Sequence, residues 1–171
     1  MGRYKPAAPP RANYITAAGA RQLTAELKYL WKIKRPEVTQ AVKEAAAQGD
    51  RSENAEYIYG KKQLREIDRR VRYLSKRLDS LTVVDRLPDD RETVYFGAWV
   101  SLLDEQERSY RYRIVGPDEL GMGTGYISID SPMAKRLLKR HVGDEFSMQK
   151  PDNSELWYEI VAIEYLADEE T

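Results

Sequence analysis

The sequence predicts an α+β protein, in which an N-terminal antiparallel coiled-coil helical hairpin precedes a C-terminal domain with a mainly antiparallel sheet. Three observations predict this fold class. Apolar residues recur at helical spacing over two long segments of the first half. Gly49 interrupts the pattern and marks a short turn between the segments. After residue 82 the pattern becomes the short alternating runs that are typical of strands.

Composition limits the classes of protein that this chain can belong to. Its 171 residues suggest one or two domains. The absence of cysteine excludes a disulfide framework and a thiolate metal site, and it fits a reducing cytoplasm. No apolar run approaches the roughly 18 residues of a membrane span, and the N-terminus lacks the apolar stretch of a signal peptide. We therefore expect a cytoplasmic location and no membrane partner.

The formal net charge of zero hides an asymmetry between the two halves. Residues 1–81 carry 18 Lys/Arg and 9 Asp/Glu, a net charge of +9, whereas residues 82–171 carry 10 Lys/Arg and 19 Asp/Glu, a net charge of −9. Such a split favours two units in different electrostatic environments. The basic half would be attracted to nucleic acid or to an acidic protein surface.

Residues 1–13 are rich in proline and arginine, and we expect them to form a disordered tail. The first predicted element after this tail is a long helix. Thr16 is a suitable N-cap, and the helical spacing continues to about Ala47. Pro36 should kink or locally open this helix, because proline lacks the backbone N–H that the helix needs.

The second helix is predicted from about Ser52 to Leu81, with an apolar stripe of heptad type. Gly60 lies in this stripe and would let the two backbones approach closely near the turn. Periodicity alone leaves open whether the helix pairs within one chain or between chains, and the short turn at Gly49 favours pairing within the chain. The stripe comprises Tyr57, Gly60, Leu64, Ile67, Val71, Leu74, Leu78 and Leu81.

The remaining elements follow a linker at Pro88-Asp89-Asp90. Ser131 is a predicted N-cap with proline at the first helical position, and its helix should extend to about Arg140. The predicted strands are Val94–Leu103, Ser109–Val115, Tyr126–Ile129, Phe146–Gln149 and Leu156–Leu166. The domain boundaries follow as a hairpin over residues 14–82 and a second domain over 83–171.

The turn between the helices carries two carboxylates, Asp50 and Glu53, at the far tip of the predicted hairpin. Magnesium takes oxygen ligands and is often held by one or two protein carboxylates, so this pair could complete a metal site on another enzyme. Asp50 and Glu53 also have the spacing of a capping box, which would make them part of the helix start instead. Asn54 and Glu56 are weaker candidates.

A basic band covers residues 61–77, which contain eight Lys/Arg residues and only two acidic ones, Glu66 and Asp68. All eight lie off the apolar stripe, as expected of a surface that contacts a phosphate backbone or RNA. An ordinary solvated helix face is the alternative. The basic residues are Lys61, Lys62, Arg65, Arg69, Arg70, Arg72, Lys76 and Arg77.

Three other motifs carry little functional weight. The glycine-rich segment 121–125 lacks the Gly-Lys-Ser/Thr end of a P-loop, so it predicts a loop between strands. His141 is the sole histidine of a chain without cysteine, which makes a zinc site or a catalytic triad implausible. Ser131 is better explained as a helix cap than as a nucleophile.

Several segments together carry a resemblance to a known family. The tip Gly49-Asp50-Arg51-Ser52-Glu53-Asn54-Ala55-Glu56-Tyr57 resembles the tip motif of the bacterial Gre transcript-cleavage factors. Residues 61–74 are similar to the GreB branch of that family rather than to the GreA branch. Further matching segments occur in the same order at residues 96–100, 113–116 and 126–134. The similarity extends from about Tyr14 to Leu166.

The resemblance implies a coiled-coil hairpin followed by an FKBP-like domain that docks on bacterial RNA polymerase near its secondary channel. The hairpin would enter the channel, and Asp50 and Glu53 would help to hold a catalytic Mg²⁺ and a water. The polymerase itself would then cleave backtracked RNA, so this chain would not be an enzyme. The 3′ end of that RNA would meet the basic band, with contacts at Lys61, Lys62, Arg65, Arg69, Arg70 and Arg72. We expect a monomer that binds no metal tightly by itself.

Three other functions remain open at this point. A regulator that enters the secondary channel without stimulating cleavage would share the hairpin. A coiled coil that binds nucleic acid without a polymerase partner would bind RNA tightly by itself. A structural dimer zipper would not be monomeric in solution.

Overall fold

The computed structural model describes residues 11–166, which form two compact units. One unit is residues 20–81, and the other combines the chain up to Gly19 with residues from Thr82 onward. The predicted fold class is confirmed, since the first unit is a helical hairpin and the second is built on a mixed sheet. Residues 1–10 of the predicted tail lie outside the described residues, as do residues 167–171. No described helix is apolar over a length that could cross a membrane.

The hairpin consists of α1 (Ala17–Tyr29), a π-helical turn (Leu30–Lys34), α2 (Arg35–Ala47) and α3 (Ala55–Ser80). Cross-helix contacts show that the two arms are antiparallel and belong to the same chain. Asn54 donates to the carbonyl of Ala45 near the turn, Arg35 pairs with Asp68, and Glu26 pairs with Arg70 further along. The sequence number falls along one arm as it rises along the other.

The heptad stripe of α3 faces the other arm, as predicted. Gly60, Ile67 and Leu74 are the buried residues of the helix. A Cβ atom placed on Gly60 would lie 2.6 Å from Cγ2 of Val42, so the backbone of α3 approaches the opposite arm closely at this position. The predicted close approach at Gly60 is therefore confirmed.

The first arm opens at the π-helical turn, which ends two residues before Pro36. The backbone N–H of Arg35 donates to the carbonyl of Leu30, which is a hydrogen bond across five residues instead of four. Pro36 has no N–H to donate to the carbonyl of Lys32, so the regular ladder cannot continue through this segment. The wider turn adds one residue at the interruption, as π-bulges do. The predicted local opening is confirmed, and the arm ends at Ala47 as expected.

A short strand that the sequence pattern does not predict precedes α1. Strand β1 (Tyr14–Thr16) pairs in parallel with β2 (Thr82–Val84), and the N–H of Thr82 donates to the carbonyl of Asn13 at 2.7 Å. Ala12 also donates its N–H to Oδ2 of Asp130 at 2.9 Å, so the end of the predicted tail is hydrogen-bonded. Thr16 caps α1 as predicted, since its Oγ1 accepts the N–H of Gly19 at 3.0 Å.

A buried carboxylate, that of Glu119, stabilises the junction between β1 and α1. Its side chain is 1% exposed. Oε2 accepts the N–H groups of Thr16 at 3.1 Å and of Gly116 at 2.8 Å, and Oε1 accepts the hydroxyl of Thr16. A Cβ on Gly19 would overlap the Glu119 carboxylate, so a larger residue there would displace this side chain from its hydrogen bonds. Three donors therefore depend on one side chain.

The second unit contains five paired strands, which are β3 (Trp99–Asp104), β4 (Ser109–Val115), β5 (Tyr126–Ser128), β6 (Glu145–Gln149) and β7 (Glu155–Glu164). They form one sheet in the order β5-β4-β3-β7-β6, in which only β4 and β5 are parallel. A short helix, α4 (Pro132–Leu137), begins at Ser131, whose Oγ accepts the N–H of Ala134 at 3.1 Å. The predicted cap at Ser131 is confirmed.

Two predicted boundaries in this unit are wrong by three residues or more, and the others differ by two residues or fewer. Strand β3 begins at Trp99 and not at Val94, because Gly97 has a φ of +87° and turns the chain immediately before the strand. Helix α4 ends at Leu137 and not near Arg140, because Lys139 adopts a φ of +67°, which no α-helix accommodates. Val94 is nevertheless fully buried in the core of this unit.

The glycine-rich segment 121–125 and His141 have structural roles. The segment lies in the connection between β4 and β5 and opens no helix, as predicted. His141 contacts the hydroxyl of Thr93 through Nε2 at 2.9 Å, and these two residues also form a backbone bridge.

Candidate functional site

The candidate site is the connection between α2 and α3 at the tip of the hairpin. Gly49 follows the last turn of α2 and has a φ of +132°, a conformation that favours glycine. Asp50, Arg51, Ser52 and Glu53 come next, and all four are exposed. The connection therefore presents its polar side chains to solvent.

Asp50 is held in a fixed conformation by Ser52. Its Oδ1 accepts the backbone N–H of Ser52 at 2.9 Å and the hydroxyl of Ser52 at 2.8 Å. These hydrogen bonds lower the pKa of Asp50 below its ordinary value, the backbone bond first and the hydroxyl bond second. Asp50 is therefore ionised at neutral pH and loses its charge only as the pH falls through this lowered pKa. Both bonds end on Oδ1, so Oδ2 is the oxygen that is available to a ligand.

The start of α3 corrects the prediction made for this segment. The helix begins at Ala55 and not at Ser52, and its N-cap is Asn54, whose Oδ1 accepts the N–H of Tyr57 at 3.0 Å. Asn54 also donates to Ala45 across the hairpin at 2.8 Å. Asp50 forms its own turn with Ser52, which competes with helix formation. The capping-box alternative for Asp50 and Glu53 is thus not what the structure shows.

The other tip residues differ in their surroundings. Glu53 makes no hydrogen bond or ion pair with another described residue. The Arg51 guanidinium lies over the ring of Tyr57, 5.9 Å from its centroid. Glu56 lines a groove on the side of the hairpin together with Tyr59 and Gly60, so it faces a different surface from the tip.

These residues fit one half of a magnesium site. Carboxylate oxygens are the ligands that Mg²⁺ prefers, and Asp50 and Glu53 supply two accessible carboxylates on one short connection. Within residues 11–166, no group of three or more His, Cys, Asp or Glu side chains could hold a metal ion. A complete site at this tip would need further ligands from another molecule.

The basic band lies on the outside of α3. Seven of its eight basic residues are exposed, and Arg77 is half-buried. With about 100° of rotation per residue, one set of five falls within about 80° of the helix circumference, roughly opposite to the buried stripe. This set, which we call the basic stripe, consists of Lys61, Arg65, Arg69, Arg72 and Lys76.

Arg70 and Asp68 serve the hairpin itself. Arg70 makes two hydrogen bonds to Glu26, at 2.7 and 2.8 Å, and its guanidinium lies over the ring of Tyr73. Asp68 is paired with Arg35 at 2.7 Å and therefore offsets little of the charge of the basic stripe. Of the predicted RNA contacts, Arg70 is thus committed to another group, whereas Lys61, Lys62, Arg65, Arg69 and Arg72 remain exposed.

Sequence reasoning missed the roles of Ser52 and Asn54. Asn54 precedes Ala55 and a helical run, and asparagine is among the favoured N-cap residues. That preference could have identified the helix start. Ser two residues after Asp is likewise a pattern for a side-chain turn.

Changing Ser52 to alanine is expected to raise the pKa of Asp50 part of the way toward its ordinary value. The hydroxyl bond is removed while the larger contribution, from the Ser52 N–H, remains. A pH titration followed by carboxyl-carbon NMR measures the shift. The matched control is Ser154→Ala, because Ser154 holds Asp152 through the same pair of bonds and lowers its pKa. A pKa of Asp50 that is unchanged in Ser52→Ala would contradict the role of this hydroxyl.

Family comparisons cover nearly all of the described chain. Residues 13–83 match the model described as "Transcription elongation factor, N-terminal", and residues 88–165 match "Transcription elongation factor, GreA/GreB, C-term". The chain belongs to the GreA/GreB family of transcription elongation factors. The two matched segments correspond to the hairpin with its flanking strands and to the sheet domain.

The similar members of this family carry the GreB name. The chain is 56% identical to transcription elongation factor GreB of Pseudomonas aeruginosa over 96% of its own length and 98% of that protein. It is 54% identical to GreB of Xanthomonas axonopodis pv. citri over the same shares of the two chains. These two relatives confirm the expected membership of the GreB branch. A solved structure, GreA factor homolog 1 of Thermus thermophilus, is 25% identical with a TM-score of 0.40, over 90% of this chain and 99% of that one.

Proposed function

We propose that this chain enters the secondary channel of bacterial RNA polymerase and stimulates the polymerase to cleave backtracked RNA. The observation that carries the proposal is the hairpin tip, where Asp50 and Glu53 lie at the end of a long α-helical arm. Helix α3 has 26 residues and is about 39 Å long at 1.5 Å per residue. An arm of this length can present a side chain deep inside a partner.

The tip residues would act as Mg²⁺ ligands in the active site of the polymerase. Asp50 and Glu53 would hold Mg²⁺ jointly with groups of the polymerase, and a metal ion in such a site activates water and neutralises the charge that develops on the phosphate. Ser52 supports this role, because its two hydrogen bonds orient the Asp50 carboxylate and favour its charged form. Asn54 fixes the end of the connection by bonding both arms.

The hydrolytic activity in this proposal belongs to the polymerase. The tip supplies two carboxylates and leaves the rest of the metal site to the partner. The proposal includes a monomeric, cytoplasmic protein, because one chain forms the whole hairpin and bacterial transcription takes place in the cytoplasm.

The basic stripe would contact the 3′ segment of the backtracked RNA. Its cations lie on one face of α3 and point away from the apolar stripe. A phosphate backbone that follows this face would be neutralised over several nucleotides. Lys62 lies beside the stripe and would add to the same contact.

The test of the proposal is to add the protein to a stalled, backtracked elongation complex in the presence of Mg²⁺. We expect shortened RNA with a new 3′ end that resumes elongation when nucleotides are supplied. Protein alone with the same RNA should give no cleavage. Binding to the complex without any increase in cleavage would contradict the proposal and would favour a channel regulator that does not stimulate cleavage.

Reversing two charges of the basic stripe, Arg65→Glu with Arg69→Glu, is expected to lower cleavage on long backtracked RNA by on the order of 10-fold, because phosphate contacts are replaced by repulsion. RNA backtracked by only a few nucleotides should be affected less, since little of it reaches the stripe. Cleavage rates on complexes of defined backtracking length measure the difference. The control, Arg86→Glu with Arg91→Glu, makes the same charge change at exposed positions outside the hairpin. An equal loss on both RNA lengths would show that the stripe serves polymerase docking instead.

A further inference from the structure

A second feature of the hairpin lies at the π-helical turn, away from the tip. A groove of about 310 Å³ runs between the first arm and α3 at this level. Trp31 forms part of its wall and remains 53% exposed. The other residues that line the groove are Leu27, Lys28, Lys32, Val71 and Ser75.

The indole of Trp31 is held in position from one side. The guanidinium of Arg35 lies 5.3 Å from the centroid of the ring, and Nε of Arg35 is also bonded to Oδ1 of Asp68 on α3 at 2.7 Å. The ion pair thus fixes the cation, and the cation fixes the ring. An aromatic ring that is both anchored and half exposed is a ready surface for stacking another planar group.

The residues that line the groove include two lysines and no carboxylate. The nearby carboxylates of Asp68 and Glu26 are paired with Arg35 and Arg70. Neither Lys28 nor Lys32 makes an ion pair or a hydrogen bond with another described residue. Two unpaired cations therefore flank the stacking surface.

The groove opens beside the basic stripe. At about 100° per residue, Val71 and Ser75 lie between the buried side of α3 and the face that carries Arg72 and Lys76. A chain whose phosphates follow the stripe would thus pass the mouth of the groove. Proteins that bind single strands combine such a basic track with aromatic side chains on which bases stack.

From these contacts we infer that the groove at the π-helical turn is a base-stacking site for single-stranded RNA. One nucleobase stacks on Trp31, while Lys28 and Lys32 neutralise the flanking phosphates. Stacking is tolerant of base identity, because every base has a π-face, so the site takes RNA of any sequence. This inference rests on the RNA contact of the proposed function and does not depend on the metal role of the tip.

The first test uses the fluorescence of Trp31 in the full chain. Trp99→Phe with Trp157→Phe leaves Trp31 as the only tryptophan. Titration with a single-stranded RNA of about ten nucleotides is expected to quench its emission in a saturable way. Adding Asp50→Ala to the same background should leave the quenching unchanged, since the tip is not involved. Bound RNA without any change in Trp31 emission would overturn the inference.

The second test measures RNA affinity by fluorescence anisotropy, with a labelled form of the same RNA. Trp31→Ala is expected to weaken binding by on the order of 10-fold with an unchanged salt dependence. Lys28→Gln with Lys32→Gln should lower the slope of log K against log salt by about 1.4, or about 0.7 for each phosphate that is no longer neutralised. The control is Tyr29→Ala, because Tyr29 is 49% exposed on the same arm and does not line the groove.

An RNA affinity of Trp31→Ala equal to that of wild type would overturn the stacking site while leaving the proposed function intact. If the same variant also bound polymerase more weakly, the groove would be a protein-binding surface instead. Conversely, a wild-type protein that stimulates no cleavage but shows Trp31 quenching would contradict the proposed function alone.

Discussion

Replacing Asp50 by alanine is expected to lower stimulated RNA cleavage by on the order of 100-fold, because a metal ligand and the positioning it provides are both removed. The removed carboxylate is exposed, so the stability of the fold should not change, and the cleavage rate should fall. The measurement is the single-turnover cleavage rate of a backtracked complex with saturating protein. Affinity for the complex should remain close to that of wild type.

The matched control is Glu56→Ala. Glu56 is an exposed carboxylate only three residues from Glu53, but it lines the side groove of the hairpin. It should retain most of the cleavage activity. If Glu56→Ala and Asp50→Ala lowered activity equally, the tip would act through its total charge and not through Asp50 as a ligand.

Replacing Glu119 by alanine is expected to lower the free energy of unfolding of the sheet unit by about 3 kcal/mol, because buried donors are left without their acceptors. These donors are the N–H and hydroxyl of Thr16 and the N–H of Gly116. Chemical denaturation followed by tryptophan emission measures the change. Trp99 and Trp157 both belong to this unit, whereas Trp31 belongs to the hairpin.

Glu119→Gln separates hydrogen bonding from charge at the same position. Its amide oxygen can accept both backbone N–H groups, and its NH₂ group can donate to the Thr16 hydroxyl oxygen. We expect this variant to retain most of the stability that the alanine variant lacks. A glutamine variant as unstable as the alanine variant would show that the negative charge, and not the set of hydrogen bonds, stabilises the junction.

The hairpin was predictable because its main determinant is local and periodic. The seven-residue spacing of Ile67 and Leu74 defines the buried side of α3, and Gly49 marks the turn. Pro36 likewise announces a break in the first arm, since a missing N–H has the same consequence in any helix. The break takes the form of a π-helical turn because of how the arm packs, and this packing cannot be predicted from the sequence.

The features that escaped prediction depend on partners that are distant in sequence. Strand β1 forms because it pairs with β2, although the whole hairpin lies between the two strands in the sequence. Nothing in the local sequence distinguishes Glu119 from a surface glutamate. Its hydrogen-bond partner Thr16 is 103 residues away in the chain. The strand start at Trp99 was missed for a local reason, because the positive φ of Gly97 was not anticipated.

At the tip, the sequence predicted which residues are accessible but not how they are held. Asp50 and Glu53 could be placed on a turn between two helices from spacing alone. The choice between helix capping and a free carboxylate depended on whether Ser52 or Asn54 starts α3. Two competing side-chain turns within a few residues decide that choice, and small differences in local geometry set the outcome.

The measurement that tests the central claim most directly is the Mg²⁺ dependence of cleavage in a backtracked complex. Wild-type protein and the Asp50→Ala/Glu53→Ala variant would be compared at saturating concentration, with binding to the complex confirmed for both. If the tip carboxylates are metal ligands, wild type should reach half-maximal cleavage at a lower Mg²⁺ concentration than the variant. Superimposable Mg²⁺ curves with equal maximal rates would contradict the account, because they would exclude the tip carboxylates as metal ligands.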